Sequence, residues 1–154
     1  MDITFRNAEL SDARSISALV SALSSEHIAQ TLGDGGLELL LSSMDLAATR
    51  ERIEDQWLHL CAFNVDKLVG VVVVKPKCHL YHLFVETDFQ NKGIGSQLFA
   101  KADAATLAKT KAKLSTVNSS LNVVQVYQGL GFVADGPISD TNGVRCQPMV
   151  RSDG

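Results

Sequence analysis

Phe89-Gln90-Asn91-Lys92-Gly93-Ile94-Gly95-Ser96-Gln97-Leu98 sets two glycines either side of Ile94. It follows an apolar run, Leu80 to Val85, that predicts a strand, and opens onto Ser96 to Asp103, which predicts a helix. A loop with two glycines therefore joins a strand to a helix N-terminus. The first turn of a helix carries unpaired N–H groups and the positive end of the dipole. Glycine lets an anion approach that backbone with no Cβ in the way. The segment predicts a phosphate site made by the main chain. It is not a P-loop, because no Gly-Lys-Ser/Thr stands at the required spacing. Nor is it a dinucleotide fingerprint, since it has two of the three glycines and follows a hairpin late in the chain.

The upstream sequence supplies that hairpin. Trp57 to Phe63 and the β-branched run Leu68 to Lys75 read as strands joined by a turn at Asn64 to Lys67. Pro76 ends the second, and Cys78 to Val85 is a third. Further upstream, Ile3 to Arg6 alternates as a short strand. Ser11 to Arg14 opens a helix carrying Ile16, Leu19, Val20 and Leu23 on one face. That helix is expected to fray at Ser24 to His27. After a turn at Gly33 to Gly36, one helical stretch runs from Leu37 to Gln56. Downstream, the helix after the loop reaches about Lys109, Leu114 to Asn118 is strand-like, and Leu121 to Leu130 is helical up to Gly131. Phe132-Val133 and Val144 to Val150 close as strands around turns at Gly136-Pro137 and Asp140 to Gly143. The order β-α-α-β-β-β-α-β-α-β-β predicts a single α/β domain over residues 1–154, a mixed sheet with helices on both faces.

Composition sets the bounds. The 154 residues are 45% hydrophobic, enough for one real core, and the net charge of -3 lacks the basic excess of a nucleic-acid footprint. Lys101, Lys109, Lys111 and Lys113 read most simply as a solvated helix face and the turn after it, the other reading being an anion-steering patch. Cys61, Cys78 and Cys146 are odd in number with no C-x-x-C pair, which argues against a disulfide scaffold or a metal site. Cys61 and Cys78 read as small core residues. The N-terminus has no apolar signal region, and Leu68 to Val74 is too short to cross a bilayer. The expected setting is cytoplasmic, with no membrane or nucleic-acid partner.

Val85-Glu86-Thr87-Asp88-Phe89-Gln90-Asn91-Lys92-Gly93-Ile94-Gly95 resembles the acetyl-CoA-binding segment of the GNAT N-acetyltransferases, a Val followed after a short connection by Gln/Arg-x-x-Gly-x-Gly/Ala. Asn118 with Tyr127-Gln128-Gly129-Leu130-Gly131-Phe132 resembles the family's Asn…Tyr-x-x-x-Gly-Phe segment. The element order fits the family along nearly the whole chain. The resemblance implies a mostly antiparallel sheet of about seven strands, splayed between the fourth and fifth. It implies acetyl-CoA as donor, its pyrophosphate surrounded by Gln90, Asn91, Lys92, Gly93, Ile94, Gly95 and Ser96, with Lys92 either adding charge or facing solvent. Leu83, Phe84 and Val85 would pair their backbone with the pantetheine arm, and Asn118 would contact it.

The resemblance implies Tyr127 as the general acid that protonates the departing thiolate. The attacking amine must be neutral, so some group takes a proton. His79 stands where family members often carry a Glu or His, and histidine titrates in the right range. It is either that base or a hydrogen-bonded strand histidine. Glu86 and a water chain are the other routes. His79 and Tyr81 share a strand face, and His82 is expected on the opposite one. The acceptor pocket would form from the first two helices and the final hairpin, with Ser24 to His27, Gly33 to Gly36 and Leu37 to Met44 at its rim. Glu26, Asp34 and Glu86 either attract a cationic amine there or are plain surface charges. The implied activity is acetyl transfer to a primary amine of a small molecule or peptide, by direct attack in a ternary complex. The other reading is a CoA-binding module without catalysis. A homodimer through the C-terminal strands is compatible with the family.

Overall fold

The structure is a computed structural model that describes residues 1–152. Eight strands form the sheet: β1 (Ile3–Asn7), β2 (Leu58–Asn64), β3 (Lys67–Lys75), β4 (His79–Val85), β5 (Thr116–Ser119), β6 (Phe132–Ala134), β7 (Ser139–Thr141) and β8 (Val144–Arg151). Their order is β1-β2-β3-β4-β5-β8-β6, with β7 hairpinned onto β8. Every pairing is antiparallel except β4 with β5. Five helices cover the faces: α1 (Ala13–Leu23), α2 (Gly36–Ser43), α3 (Leu46–Glu54), α4 (Ile94–Thr110) and α5 (Val124–Gly129). Among the described residues no helix is long and apolar enough to cross a membrane.

Two apolar layers flank the sheet. On one side α4 buries Ile94, Leu98, Phe99, Ala102 and Thr106, a stripe at helical spacing, against Ala62, Val69, Val72, Val74 and Leu80. Leu114, Val117, Tyr127, Phe132 and Met149 complete that layer. On the other side Ile16 and Val20 of α1 and Met44 meet Cys61, Phe63, Leu68, Val71 and Val73. Asp103 Oδ1 accepts from Leu114 N–H at 2.9 Å and from Arg151 Nη2 at 2.6 Å, tying the middle of α4 to the start of β5 and the end of β8.

Four local features differ from the sequence reading. The stretch from Leu37 to Gln56 is two helices, because Met44 leaves helical geometry and Asp45 caps α3 by accepting from Ala48 N–H at 2.8 Å. The chain after α1 does not fray. It widens into a π turn at Ser24–Ile28 and tightens into a 3-10 turn at Ala29–Thr31. Ser139–Thr141 pairs as β7, giving eight strands rather than about seven. Cys78 is not a core residue. It sits in the β3–β4 turn, where both Lys77 and Cys78 have positive φ. Pro148 lies inside β8 at little cost. Its carbonyl accepts from Asp135 N–H just beyond β6, so the missing N–H falls where that strand ends.

Both inner strands are bulged. Ala62 pairs with Gly70 and Phe63 with Leu68, leaving Val69 extra on β3. Val73 pairs with His82 and Val74 with Leu80, leaving Tyr81 extra on β4. The first bulge turns Gly70 toward α4, where a Cβ would stand 3.0 Å from Leu98 Cδ1 and 3.3 Å from the Phe84 carbonyl. Gly70→Ala is therefore expected to destabilise by about 1–3 kcal/mol through overpacking, and Leu98→Ala by about 2–5 kcal/mol through a cavity. In urea unfolding the double variant should lose less than the sum of the two, because the cavity receives the new methyl. Strict additivity would show that the two positions do not share this contact.

Candidate active site

The parallel pairing of β4 with β5 covers two positions, His79 with Thr116 and Leu80 with Val117. Beyond them the strands separate, and the facing edge of β4 from Tyr81 to Val85 has no strand partner. A cavity of about 550 Å³ occupies the gap. Tyr127 lines it from the α4–α5 side of the sheet, and Tyr81, His82 and Phe84 from the α1–α2 side. The cleft thus passes through the sheet.

At one end of the cleft lies the glycine loop. A 3-10 turn at Thr87–Phe89 follows β4, and Asn91 and Gly93 both take left-handed φ, +62° and +82°. This bends the chain so that the first intrahelical bond of α4 runs from Gln97 N–H to the Gly93 carbonyl at 3.1 Å. The N–H groups of Ile94, Gly95 and Ser96 are left without acceptors among the described residues. Ile94 is buried in the core, so it can offer a ligand only its backbone. Lys92 is exposed and joins no ion pair among the described residues. The Gln90 side chain lines the cleft and donates to the Val85 carbonyl at 3.0 Å, covering one acceptor of the open strand end. A helix start with three free donors, beside a strand edge with unpaired amides, fits an elongated ligand that ends in phosphate. Leu83, Phe84, Val85, Gln90, Asn118, Tyr127 and His79 line the cleft, whereas residues 91–96 lie beyond it in the loop and first helical turn.

Tyr127 is buried and meets Phe132 edge to face, centroids 6.1 Å apart. Burial pushes its phenol up to about 12. It keeps its proton throughout the neutral range and can act only as an acid there. His79 Nδ1 lies 2.8 Å from Thr116 Oγ1 and its Nε2 has no hydrogen-bond partner among the described residues. Burial, and then Lys75, lower its pKa below the ordinary histidine value, so it is neutral at pH 7.

His82 is where the sequence reading fails. The Tyr81 bulge resets the alternation, so His82 lies on the same side as Tyr81 and Phe84, rings 4.4 and 5.4 Å from it. Its Nδ1 is 3.1 Å from the Tyr81 carbonyl, which can only accept, so Nδ1 carries the hydrogen and Nε2 the lone pair. Burial first, then Arg52, push the ring down to about 3. Arg52 stands behind this group: its Nη2 donates to Tyr81 Oη at 2.9 Å and its guanidinium covers the Tyr81 ring at 4.6 Å. Glu86 lies outside the cleft, with Oε1 held by Lys67 Nζ at 3.0 Å. Glu26 and Asp34 do not line it either.

The far end is formed by the π turn, α2 and the β7–β8 hairpin, whose Thr141, Val144, Arg145 and Cys146 all line it. No side-chain pattern in the sequence marks these four. The hairpin tip docks backbone to backbone on the Gly33–Gly36 turn: Gly33 N–H donates to the Gly143 carbonyl at 2.8 Å. A Cβ on Gly36 would overlap that same oxygen. His27 Nε2, 2.9 Å from Thr87 Oγ1, ties the π turn to the segment leading into the glycine loop.

A family model for the acetyltransferase (GNAT) domain matches residues 28–152. A GCN5-related N-acetyltransferase from Rhodopseudomonas palustris is 22% identical, with TM-score 0.81 over 99% of this chain and 96% of that one. The PaiA N-acetyltransferase of Thermoplasma acidophilum, solved in complex with coenzyme A, is 17% identical, with TM-score 0.75 over 99% of this chain and 100% of that one. The apo form of YjaB from Escherichia coli is 18% identical, with TM-score 0.70 over 97% of each chain. At these identities the likeness is one of fold. No curated protein matches the sequence.

The depressed His82 has a consequence for stability. An unfolded histidine takes up a proton near 6.5, while the folded ring resists until about 3. The unfolded state therefore binds more protons as pH falls below about 6.5, and stability present above that value is lost in the descent. His82→Phe, which keeps the aromatic stack, should flatten the fall of Tm between about pH 7 and 5. His59 and His79, also lowered by burial, account for what slope remains. An unchanged slope would mean that His82 is not held neutral by the fold.

Proposed function

Since the chain belongs to the GNAT acetyltransferase family, we propose that it moves an acetyl group from acetyl-CoA to a primary amine by direct attack within one ternary complex. The observation that carries this reading is the single cleft through the sheet. The open edge of β4 and Tyr127 stand toward one end and the α2–hairpin chamber at the other, so donor and acceptor can meet without a covalent relay.

Acetyl-CoA supplies the acetyl thioester and the thiol that leaves. The N–H groups of Ile94, Gly95 and Ser96, with the α4 dipole behind them, hold its pyrophosphate. The unpaired amides of Leu83 to Val85 and the side chain of Asn118 hold its arm as an added strand would be held. Tyr127 Oη gives a proton to the departing sulfur. His79 Nε2 receives the proton that the amine loses, and Thr116 Oγ1 accepts from Nδ1–H to fix that tautomer. His82 is the poorer base, because burial beside Arg52 leaves its Nε2 too weakly basic. The chain's three cysteines are free, which supports a reducing, cytoplasmic setting.

Tyr127→Phe should lower kcat by about a hundredfold or more while acetyl-CoA binding, followed by calorimetry, stays near the parent value. Wild-type turnover in that variant would remove Tyr127 from the mechanism. For pH, the sign follows from the base being active when neutral. His79 titrates below its ordinary 6.5, so, once the free amine's own ionisation is divided out, the remaining acidic limb of kcat/KM should fall only under that value. His79→Gln should lower the rate and erase that limb. An identical profile would transfer the role to a water chain.

A further inference from the structure

The acceptor chamber is neutral and apolar where an enzyme for cationic substrates would carry carboxylates. Leu23, Ile28, Leu32, Leu39, Leu40 and Met44 line it from the α1–α2 side, facing Tyr81 and Phe84. No Asp, Glu or Lys is among the lining residues. None of the three nearby acids lines the cleft: Glu86 pairs its Oε1 with Lys67 while its Oε2 is buried without a partner among the described residues, Glu26 lies 3.6 Å from His27, and Asp34 faces solvent. Among the described residues the one fixed charge on the wall is the guanidinium of Arg145, whose Nε donates to Asp140 Oδ2 at 3.0 Å. Thus the single lining charge is positive, and its carboxylate partner stands outside the wall.

We propose that the acceptor is a small monoamine carried on an apolar or aromatic body, and that molecules with a second cationic group are excluded. This rests on the acetyltransferase reading of the same cleft. A reacting amine can enter and lose its proton, so it need not stay charged in the chamber. A second ammonium could not. It would leave water for walls of Leu, Met, Tyr and Phe and find no anion there. The volume of about 550 Å³, shared with the thioester end of the donor, suits one ring or a short alkyl chain rather than a peptide.

The test compares hexylamine with 1,6-diaminohexane, matched in chain and differing in the second cation, and adds phenethylamine. Two quantities are measured: thiol release from acetyl-CoA, and calorimetric binding of each amine to the protein loaded with CoA. The monoamines should bind and turn over, with kcat/KM and affinity for the diamine lower by about tenfold or more. Leu39→Asp, at a position 45% exposed on the chamber rim, should narrow that gap by supplying the missing anion. Diamine binding equal to or tighter than that of hexylamine overturns the proposal, whichever amine is acetylated. Failure of every monoamine to bind also overturns it. Monoamine binding without thiol release leaves the substrate class standing and overturns the acetyltransferase reading instead.

Discussion

The structure depends on two strands that stop pairing. After Leu80 and Val117, β4 and β5 diverge, and each turns backbone donors and acceptors toward the other across a gap. Unpaired main-chain groups away from water are costly, so a sheet leaves them only where something else will satisfy them. Gln90 covers the Val85 carbonyl at the end of the gap, and the rest remains open to the cleft. The separation is held from outside it. Asp103, Arg151 and Leu114 lock α4 to β5 and β8, while Gly70 lets Leu98 seat α4 closely on β3. With both strands anchored to different neighbours, the gap cannot close by simple slippage.

The bulge at Tyr81 determines what the gap contains. A regular β4 would alternate Tyr81 and His82 across the sheet. One extra residue puts both on the α1–α2 side with Phe84, while Leu83 and Val85 pack toward α4. The aromatic row this makes, from Trp57 through Tyr81 and His82 to Phe84, has Arg52 along its back. The guanidinium is satisfied by a hydroxyl and two ring faces rather than by a carboxylate, so its positive field extends into the chamber.

The glycine loop, the Tyr-x-x-x-Gly-Phe segment and the hydrophobic periods were readable because each is a local requirement. A left-handed turn needs Gly93, and a helix stripe needs Ile94, Leu98 and Ala102. The bulge was not readable. The stretch His79 to Val85 is compatible with regular alternation, and only pairing with β3 reveals the extra residue. The break at Met44–Asp45 was legible in principle, since Asp is a strong N-cap, but Leu37 to Met44 and Leu46 to Ile53 share a helical period that masked it. The chamber's composition was hidden for a different reason. Glu26, Asp34 and Glu86 lie in the right segments, and only their side-chain positions reveal that none faces inward.

The neutral histidines and the apolar chamber have one cause, and it bears on how an amine is activated. Desolvation disfavours any cation at this site, and Arg52 adds like-charge repulsion at His82. A bound ammonium would meet the same two forces, so its pKa falls as it enters. Under the proposed reaction this would assist deprotonation of the amine, so that a depressed His79 would suffice as the base. The far wall of the chamber depends on the hairpin tip lying directly on the Gly33–Gly36 turn, a contact so close that only glycine at 36 and 143 permits it. Gly143 holds φ at +92°, and a Cβ there would stand 2.6 Å from the Asp34 carbonyl. Two glycines far from the glycine loop thus hold the far wall of the chamber in place.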